Sequence, residues 1–146
     1  MELIDIQHVA IRTDDLEATN SFYTDVLGMR LAPRPDFNFP GSWLQMGETM
    51  IHVMAGTGAL DDNGRFSPGS NAVDHLAFGA RGFDAYKQEF QERGLDWREN
   101  GIAGFGLWQL FVKDPSGIVI ELNFNVGDEP EGSNGPASAG GDAIRL

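Results

Sequence analysis

The sequence repeats itself, and this repeat constrains the fold more than any other feature. His8-Val9-Ala10-Ile11 returns 67 residues later as His75-Leu76-Ala77-Phe78. Ile51-His52-Val53 returns 69 residues later as Ile120-Glu121-Leu122. Self-similarity at a fixed offset predicts two like halves of the chain. Such halves suggest a pseudo-twofold axis, and residues near that axis can converge on one point.

Each half is predicted to contain a strand, a helix and then further strands. The expected strands are 4–12, 43–46 and 50–54 in the first half, and 72–79, 109–113 and 118–124 in the second. The first helix is expected to begin at Asp14, in a capping box with Glu17, and to end at Gly28. The second helix is expected to end at Gly94, and residues 114–117 form a turn between the last two strands.

The composition of the chain changes near its end. Residues 127–141 read GDEPEGSNGPASAGG, which cannot bury enough apolar surface to order itself. We therefore expect one folded domain, 1–126, followed by a disordered tail, 127–146.

Composition and charge exclude several classes of function. The net charge of −12, with scattered Arg and Lys, disfavours nucleic acid as a partner. No apolar run approaches the length of a membrane span, and MELIDIQ does not look like a secretory signal. The chain has no cysteine, which excludes disulfides and thiolate metal sites and fits a cytoplasmic location.

Four side chains stand out as metal ligands. The three histidines of the chain, His8, His52 and His75, all lie in predicted strands, as does Glu121. Alternate side chains of a strand face opposite sides of the sheet. Because the neighbours of these four residues include apolar side chains that can pack under the helices, we expect the histidines and Glu121 on the opposite, concave face.

This donor set indicates one divalent metal ion as a cofactor. Burying an isolated carboxylate is costly, and a bound cation removes that cost. Imidazole and carboxylate together suit Zn, Fe, Ni, Co or Mn rather than Ca. Taken singly, each residue has a simpler explanation, as a hydrogen-bonded core histidine or a surface glutamate. The repeat favours the metal because it makes the four positions two related pairs, although His52 could instead support the ligands without binding the ion.

At these residues the chain resembles the vicinal oxygen chelate superfamily, also called the glyoxalase, bleomycin-resistance and dioxygenase superfamily. The resemblance covers about residues 4–125 and rests on the motifs HVAI, SFYTDVLGM, IHVM, DHLAF and LFVKDPSGIVIEL. It implies an α+β fold in which two βαβββ repeats form a cupped mixed sheet around a metal. It places the ligands at His8, His52, His75 and Glu121, and it implies a homodimer.

The subfamilies differ at positions that can be compared. Extradiol dioxygenases carry a Tyr where this chain has Phe111, and their upstream His has no counterpart in GIAGFGLWQL. Glyoxalase I carries Glu where His52 stands, and methylmalonyl-CoA epimerase carries an amide there. Fosfomycin-modifying enzymes use a hydroxyl where Ala10 stands. Bleomycin-binding members usually lack the metal ligands that this chain keeps.

The donor set and the resemblance together predict a metal-dependent lyase or isomerase acting on a small oxygenated substrate. The ion would stabilise an enolate or alkoxide, and Glu121 would be the catalytic base. A ring-cleaving extradiol-type dioxygenase and a non-catalytic binding protein of the bleomycin-resistance type are the alternatives. Five aromatic side chains are expected to bind the substrate, with core or loop packing as the alternative for each: Phe37, Phe39, Trp43, Phe105 and Trp108.

Overall fold

The computed structural model describes residues 8–61, 63–69, 75–102 and 106–137. The chain divides into two compact units, Met1–Gly69 and Ser70–Leu146. Each unit contains a helix and a four-stranded mixed sheet, so the predicted α+β class is confirmed. In the part of the chain that is described, no helix is long and apolar enough to cross a membrane.

The first unit has four strands and one helix. They are β1 (His8–Arg12), α1 (Leu16–Ser21), β2 (Arg30–Ala32), β3 (Gly41–Met46) and β4 (Thr49–Met54). A π-helical turn, Phe22–Val26, extends α1, and a 3-10 turn, Gly56–Ala59, follows β4. The strand order is β1-β4-β3-β2, with β1 parallel to β4 and the other neighbours antiparallel.

The second unit repeats this arrangement. Its elements are β5 (His75–Ala80), α2 (Phe83–Glu92), β6 (Trp97–Ile102), β7 (Leu107–Lys113) and β8 (Val119–Asn125), followed by a 3-10 turn, Val126–Asp128. The strand order is β5-β8-β7-β6, again with the first and last strands parallel. The internal repeat predicted from the sequence is therefore confirmed at the level of topology. The predicted strand residues 4–7 and 72–74 lie outside the described residues.

The first helix begins one residue later than the sequence predicted. Asp15 has extended backbone angles, φ −128° and ψ 92°, and its carboxylate accepts a hydrogen bond from the Ala18 backbone N–H at 2.9 Å. Asp15 is therefore the N-cap, and the capping box of Asp14 with Glu17 is wrong. The predicted helix end is correct, because Gly28 follows the π-helical turn with φ +73°, a conformation that favours glycine.

Each sheet has one face covered by its helix. In the first unit, Ser42 of β3 donates a hydrogen bond to Asn20 of α1, and the neighbouring side chains Leu44 and Val53 are almost fully buried. In the second unit, Phe83 of α2 packs edge-on against Phe124 of β8. Because side chains alternate along a strand, the residues between these positions lie on the uncovered face.

Residues 127–137 differ from the tail that the sequence predicted. The Glu129 carboxylate accepts hydrogen bonds from the backbone N–H groups of Gly82 and Phe83, at the start of α2. Asn134 donates to Asp84, and the Ala137 backbone donates to Glu99. The segment therefore packs on the second unit, and the domain boundary at 126 stays a prediction. The remaining tail residues, 138–146, lie outside the described residues.

Candidate functional site

The four predicted ligands occupy equivalent positions in the two units. On the parallel pair β1 and β4, Ala10 lies beside His52, and His8 is two residues before Ala10. On the parallel pair β5 and β8, Ala77 lies beside Glu121, and His75 is two residues before Ala77. Each unit therefore places two donors diagonally on adjacent strands, on the face that its helix does not cover.

His52 is held between two aromatic rings. Its imidazole stacks on that of His8, with ring centroids 4.0 Å apart and planes 15° from parallel. Trp43, its direct neighbour on β3, stacks at 4.3 Å and 7°. These contacts fix the plane of the imidazole. Its ring nitrogens therefore point parallel to the two neighbouring rings and not towards them.

The Nε2 atom of His52 is buried and has no hydrogen-bond partner among the described residues. Burial lowers the pKa of His52, and the charge of nearby His8 lowers it further. The neutral imidazole is the form that binds metal ions. A buried polar nitrogen without a partner costs about 1–3 kcal/mol, and a bound cation would remove that cost if this nitrogen carries the lone pair.

The second pair of donors is in direct contact. His75 Nε2 lies 2.9 Å from Glu121 Oε2, and the Glu121 residue is only 7% exposed. Two donors at adjacent positions of a six-coordinate ion, with bonds of about 2.1 Å, are about 3.0 Å apart. The observed separation is therefore compatible with both atoms binding one ion.

A chain of buried amides supports Glu121 from the other side. The Gln109 side-chain amide on β7 donates to Glu121 Oε1 at 2.7 Å and to Asn123 Oδ1 at 3.1 Å. The Asn100 amide on β6 donates to Gln109 Oε1 at 3.1 Å. The sequence analysis missed Gln109 and Asn100. Their signal is an amide on each of two neighbouring strands. Gln109 lies in a strand that the sequence predicted, but the strand of Asn100 was not predicted, so their pairing could not be foreseen.

Each unit offers a pair of donors rather than a complete site. Among the residues that the structure describes, no group of three or more His, Cys, Asp or Glu side chains is placed so that it could hold a metal ion. The imidazole of His52 and the His75–Glu121 pair both have the chemistry that a divalent ion needs. The set of four ligands remains a prediction.

Three of the predicted substrate-binding aromatics lie together in the first unit. Phe37 stacks on Phe39 at 5.7 Å and lies 6.4 Å from Trp43. The Arg34 guanidinium lies over both phenylalanine rings, at 4.7 and 5.1 Å. Phe37 is 44% exposed, and the segment around it lines an open cleft of about 620 Å³. Their role with a substrate remains a prediction.

Trp108 lies on the helix-covered face of its sheet, and its role with a substrate stays a prediction. Trp108 pairs with Phe124 across the strands, so it lies on the face that α2 covers. Its ring is 5.2 Å from that of Phe83, and Gly135 lies so close that an added Cβ would be 2.6 Å from it. The Trp108 side chain therefore packs against α2, because adjacent residues of a strand point to opposite faces and Gln109 takes the uncovered one. Phe105 lies outside the described residues.

Both the sequence and the fold have counterparts among known proteins. A sequence model of the Glyoxalase/Bleomycin resistance protein/Dioxygenase superfamily matches residues 5–122. A lactoylglutathione lyase of Salmonella typhimurium is 30% identical over 79% of this chain and 88% of its own length. Glyoxylase I 4 of Arabidopsis thaliana is 27% identical over 84% and 71%. The crystal structure of a glyoxalase family protein from Bacillus anthracis superposes with a TM-score of 0.68, at 26% identity, over 86% of this chain and 98% of the other.

Proposed function

This chain belongs to the Glyoxalase/Bleomycin resistance protein/Dioxygenase superfamily, and on that premise we propose that it is a divalent-metal-dependent lyase or isomerase. The observation that carries the proposal is the buried Nε2 of His52, which has no hydrogen-bond partner among the described residues and belongs to an imidazole whose pKa is lowered by burial. The repeat matches this imidazole with the Glu121 carboxylate in the second unit. One relative, from Salmonella typhimurium, is named a lactoylglutathione lyase, which agrees with this proposal.

We assign the ion to His8, His52, His75 and Glu121. When bound, a divalent ion supplies Lewis acidity that stabilises negative charge developing on a substrate oxygen. The donor set contains three neutral imidazoles at most and a single carboxylate, so it leaves part of the ion's charge uncompensated. A small substrate with two neighbouring oxygens, one of them anionic, suits such a site.

Glu121 is the residue that we assign to proton transfer. Its Oε2 atom faces His75, while Oε1 is held by the Gln109 amide. Oε2, the oxygen that the amide does not hold, would leave its contact with His75 to take a proton from a carbon next to a carbonyl group and return it to the neighbouring carbon. Trp43 and Phe37 give the first unit an apolar wall that would exclude water from the substrate.

The residue beside Glu121 on the neighbouring strand, Phe111, disfavours the dioxygenase alternative. Phe111 on β7 is the direct cross-strand neighbour of Glu121 and is 7% exposed. A phenyl ring cannot donate or accept the proton that a phenol substrate must lose. This position therefore supports chemistry in which Glu121 itself handles the proton.

Metal content is the first test of the proposal. We expect purified protein to bind about one divalent ion per chain, and His8→Ala and Glu121→Ala each to lose most of it. Glu48→Ala is the matched control, because Glu48 is an exposed carboxylate in a turn. Wild-type metal content in both His8→Ala and Glu121→Ala would overturn the metal assignment.

Proton exchange is the second test. We expect the metal-loaded protein in D₂O to introduce deuterium next to the carbonyl of a small 2-hydroxyketone or of a hemithioacetal, detected by ¹H NMR. Glu121→Gln should abolish this exchange because the amide cannot accept the proton. Exchange at the wild-type rate in Glu121→Gln would remove Glu121 from the reaction.

A further inference from the structure

The buried amide chain behind Glu121 has a direction that can be read from its contacts. Gln109 has two amide hydrogens, and both are used, one on Glu121 Oε1 and one on Asn123 Oδ1. Its carbonyl oxygen accepts from the Asn100 amide. A flipped Gln109 would place its oxygen against Glu121 Oε1, so only one orientation of the amide can donate to the carboxylate.

Burial makes these hydrogen bonds decisive for Glu121. Gln109 is 7% exposed and Asn100 is 4% exposed, so water competes poorly for their amides. A carboxylate has two equivalent oxygens and rotates freely unless something distinguishes them. The Gln109 amide holds Oε1, which leaves Oε2, 2.9 Å from His75 Nε2, as the oxygen presented on the open face.

We propose that Gln109 is a positioning residue that holds the Glu121 carboxylate in a one-oxygen mode towards a divalent ion, with Asn100 fixing the orientation of the Gln109 amide. The inference rests on the proposed function, because it gives Glu121 the role of a ligand. It goes further by assigning a role to two amides outside the donor set. It implies that Glu121 binds the ion through Oε2 alone, so that a second oxygen does not occupy a position the substrate needs.

The first unit offers a natural comparison. The repeat places Gly41 of β3 where Gln109 stands on β7, because Trp43 pairs with His52 as Phe111 pairs with Glu121. An imidazole is held by ring stacking and needs no amide behind it, whereas a carboxylate has no ring to stack. The amide chain is therefore present in the unit that carries the carboxylate.

The test measures Co²⁺ binding by Gln109→Met, which keeps the length of the side chain but removes the amide. We expect its affinity to fall by about 10–100-fold, the range for residues that orient a ligand. The visible spectrum of bound Co²⁺ should also change in position or intensity, because Glu121 is free to bind through both oxygens. Gln45→Met on β3 is the matched control and should keep the wild-type affinity and spectrum.

Asn100→Ala provides a second route if Gln109→Met folds poorly. It leaves both donors of Gln109 in place but removes the hydrogen bond to the Gln109 carbonyl oxygen, so we expect a smaller loss of affinity and a smaller spectral change than in Gln109→Met. Urea unfolding of the metal-free proteins checks that each variant is folded.

The outcomes separate this inference from the proposed function. If wild-type protein binds no Co²⁺, the proposed function fails. If Glu121→Ala loses the ion while folded Gln109→Met and Asn100→Ala keep wild-type affinity and spectrum, the proposed function stands and the positioning role of Gln109 is refuted.

Discussion

At the scale of single residues, Trp43 reports directly on the predicted metal ligand His52. The two rings are parallel, 4.3 Å apart, so an ion bound to His52 would lie within a few ångströms of the indole. We expect Ni²⁺ or Cu²⁺ to quench the tryptophan fluorescence of the protein, and Trp43→Phe to remove most of the quenching.

Trp108→Phe is the control for this measurement, because Trp108 lies on the helix-covered face of its own sheet. It should retain most of the metal-dependent quenching. Equal quenching in wild type and Trp43→Phe would show that the ion does not bind next to His52.

Tyr86 gives a pH dependence that does not involve the metal site. Burial raises the pKa of Tyr86 above its usual value of about 10. Above pH ~10 the unfolded chain loses this proton while the folded chain keeps it, so the free energy of unfolding falls as the pH rises. We expect the stability difference between wild type and Tyr86→Phe, measured by urea unfolding, to shift against wild type between pH 8 and pH 10.5. A difference that is the same at both pH values would contradict a raised pKa.

At the scale of elements, the N-terminus of α1 depends on Asp15. Its carboxylate accepts the Ala18 N–H at 2.9 Å, and removing such a cap costs about 0.5–2 kcal/mol. We expect Asp15→Ala to lower the free energy of unfolding by about 1 kcal/mol. Asp14→Ala should change it by less than about 0.5 kcal/mol, because Asp14 does not cap the helix. A larger loss of stability in Asp14→Ala than in Asp15→Ala would instead favour the capping box that the sequence suggested.

The strands that the sequence predicted are those with apolar alternation. The strands β1, β3, β4, β5, β7 and β8 all place apolar side chains under a helix, and their pattern shows it. Two strands were missed. Arg30–Ala32 is only three residues long, too short for a period to appear. Trp97–Ile102 reads WRENGI, whose polar residues look like a loop until Asn100 is seen to be buried against Gln109.

The contrast between apolar and polar residues along a strand also explains which site residues the sequence could identify. The four candidate ligands were singled out because a histidine or glutamate inside an apolar strand contrasts with its neighbours, and because the repeat pairs them. The prediction of Trp108 as a substrate-binding residue has a simple origin. In GFGLWQL the glycines suggest a loop, whereas the strand begins at Leu107 and its phase turns Trp108 towards Phe83.

At the scale of the whole molecule, the two units share one topology but differ in the charge of their donors. The first unit contributes two imidazoles, and the lowered pKa of His52 favours its neutral form. The second contributes an imidazole and a carboxylate. If the four donors hold one divalent ion, the site keeps a net charge of about +1, whereas a second carboxylate in place of His52 would make it neutral. This residual charge strengthens the attraction for an anionic substrate oxygen.

The folded part of the molecule extends beyond the boundary that composition indicated, and truncation tests this. A chain ending at residue 126 loses the Glu129 carboxylate that caps α2 and the contacts of Asn134 and Ala137. Hydrogen bonds to a charged group contribute about 1.5–3 kcal/mol. We therefore expect the free energy of unfolding of this chain to be about 2–4 kcal/mol lower than that of a chain ending at residue 137. Glu129→Ala in the longer chain should account for about half of the loss. Equal stability of the two truncated chains would mean that residues 127–137 only rest on the second unit and do not stabilise it.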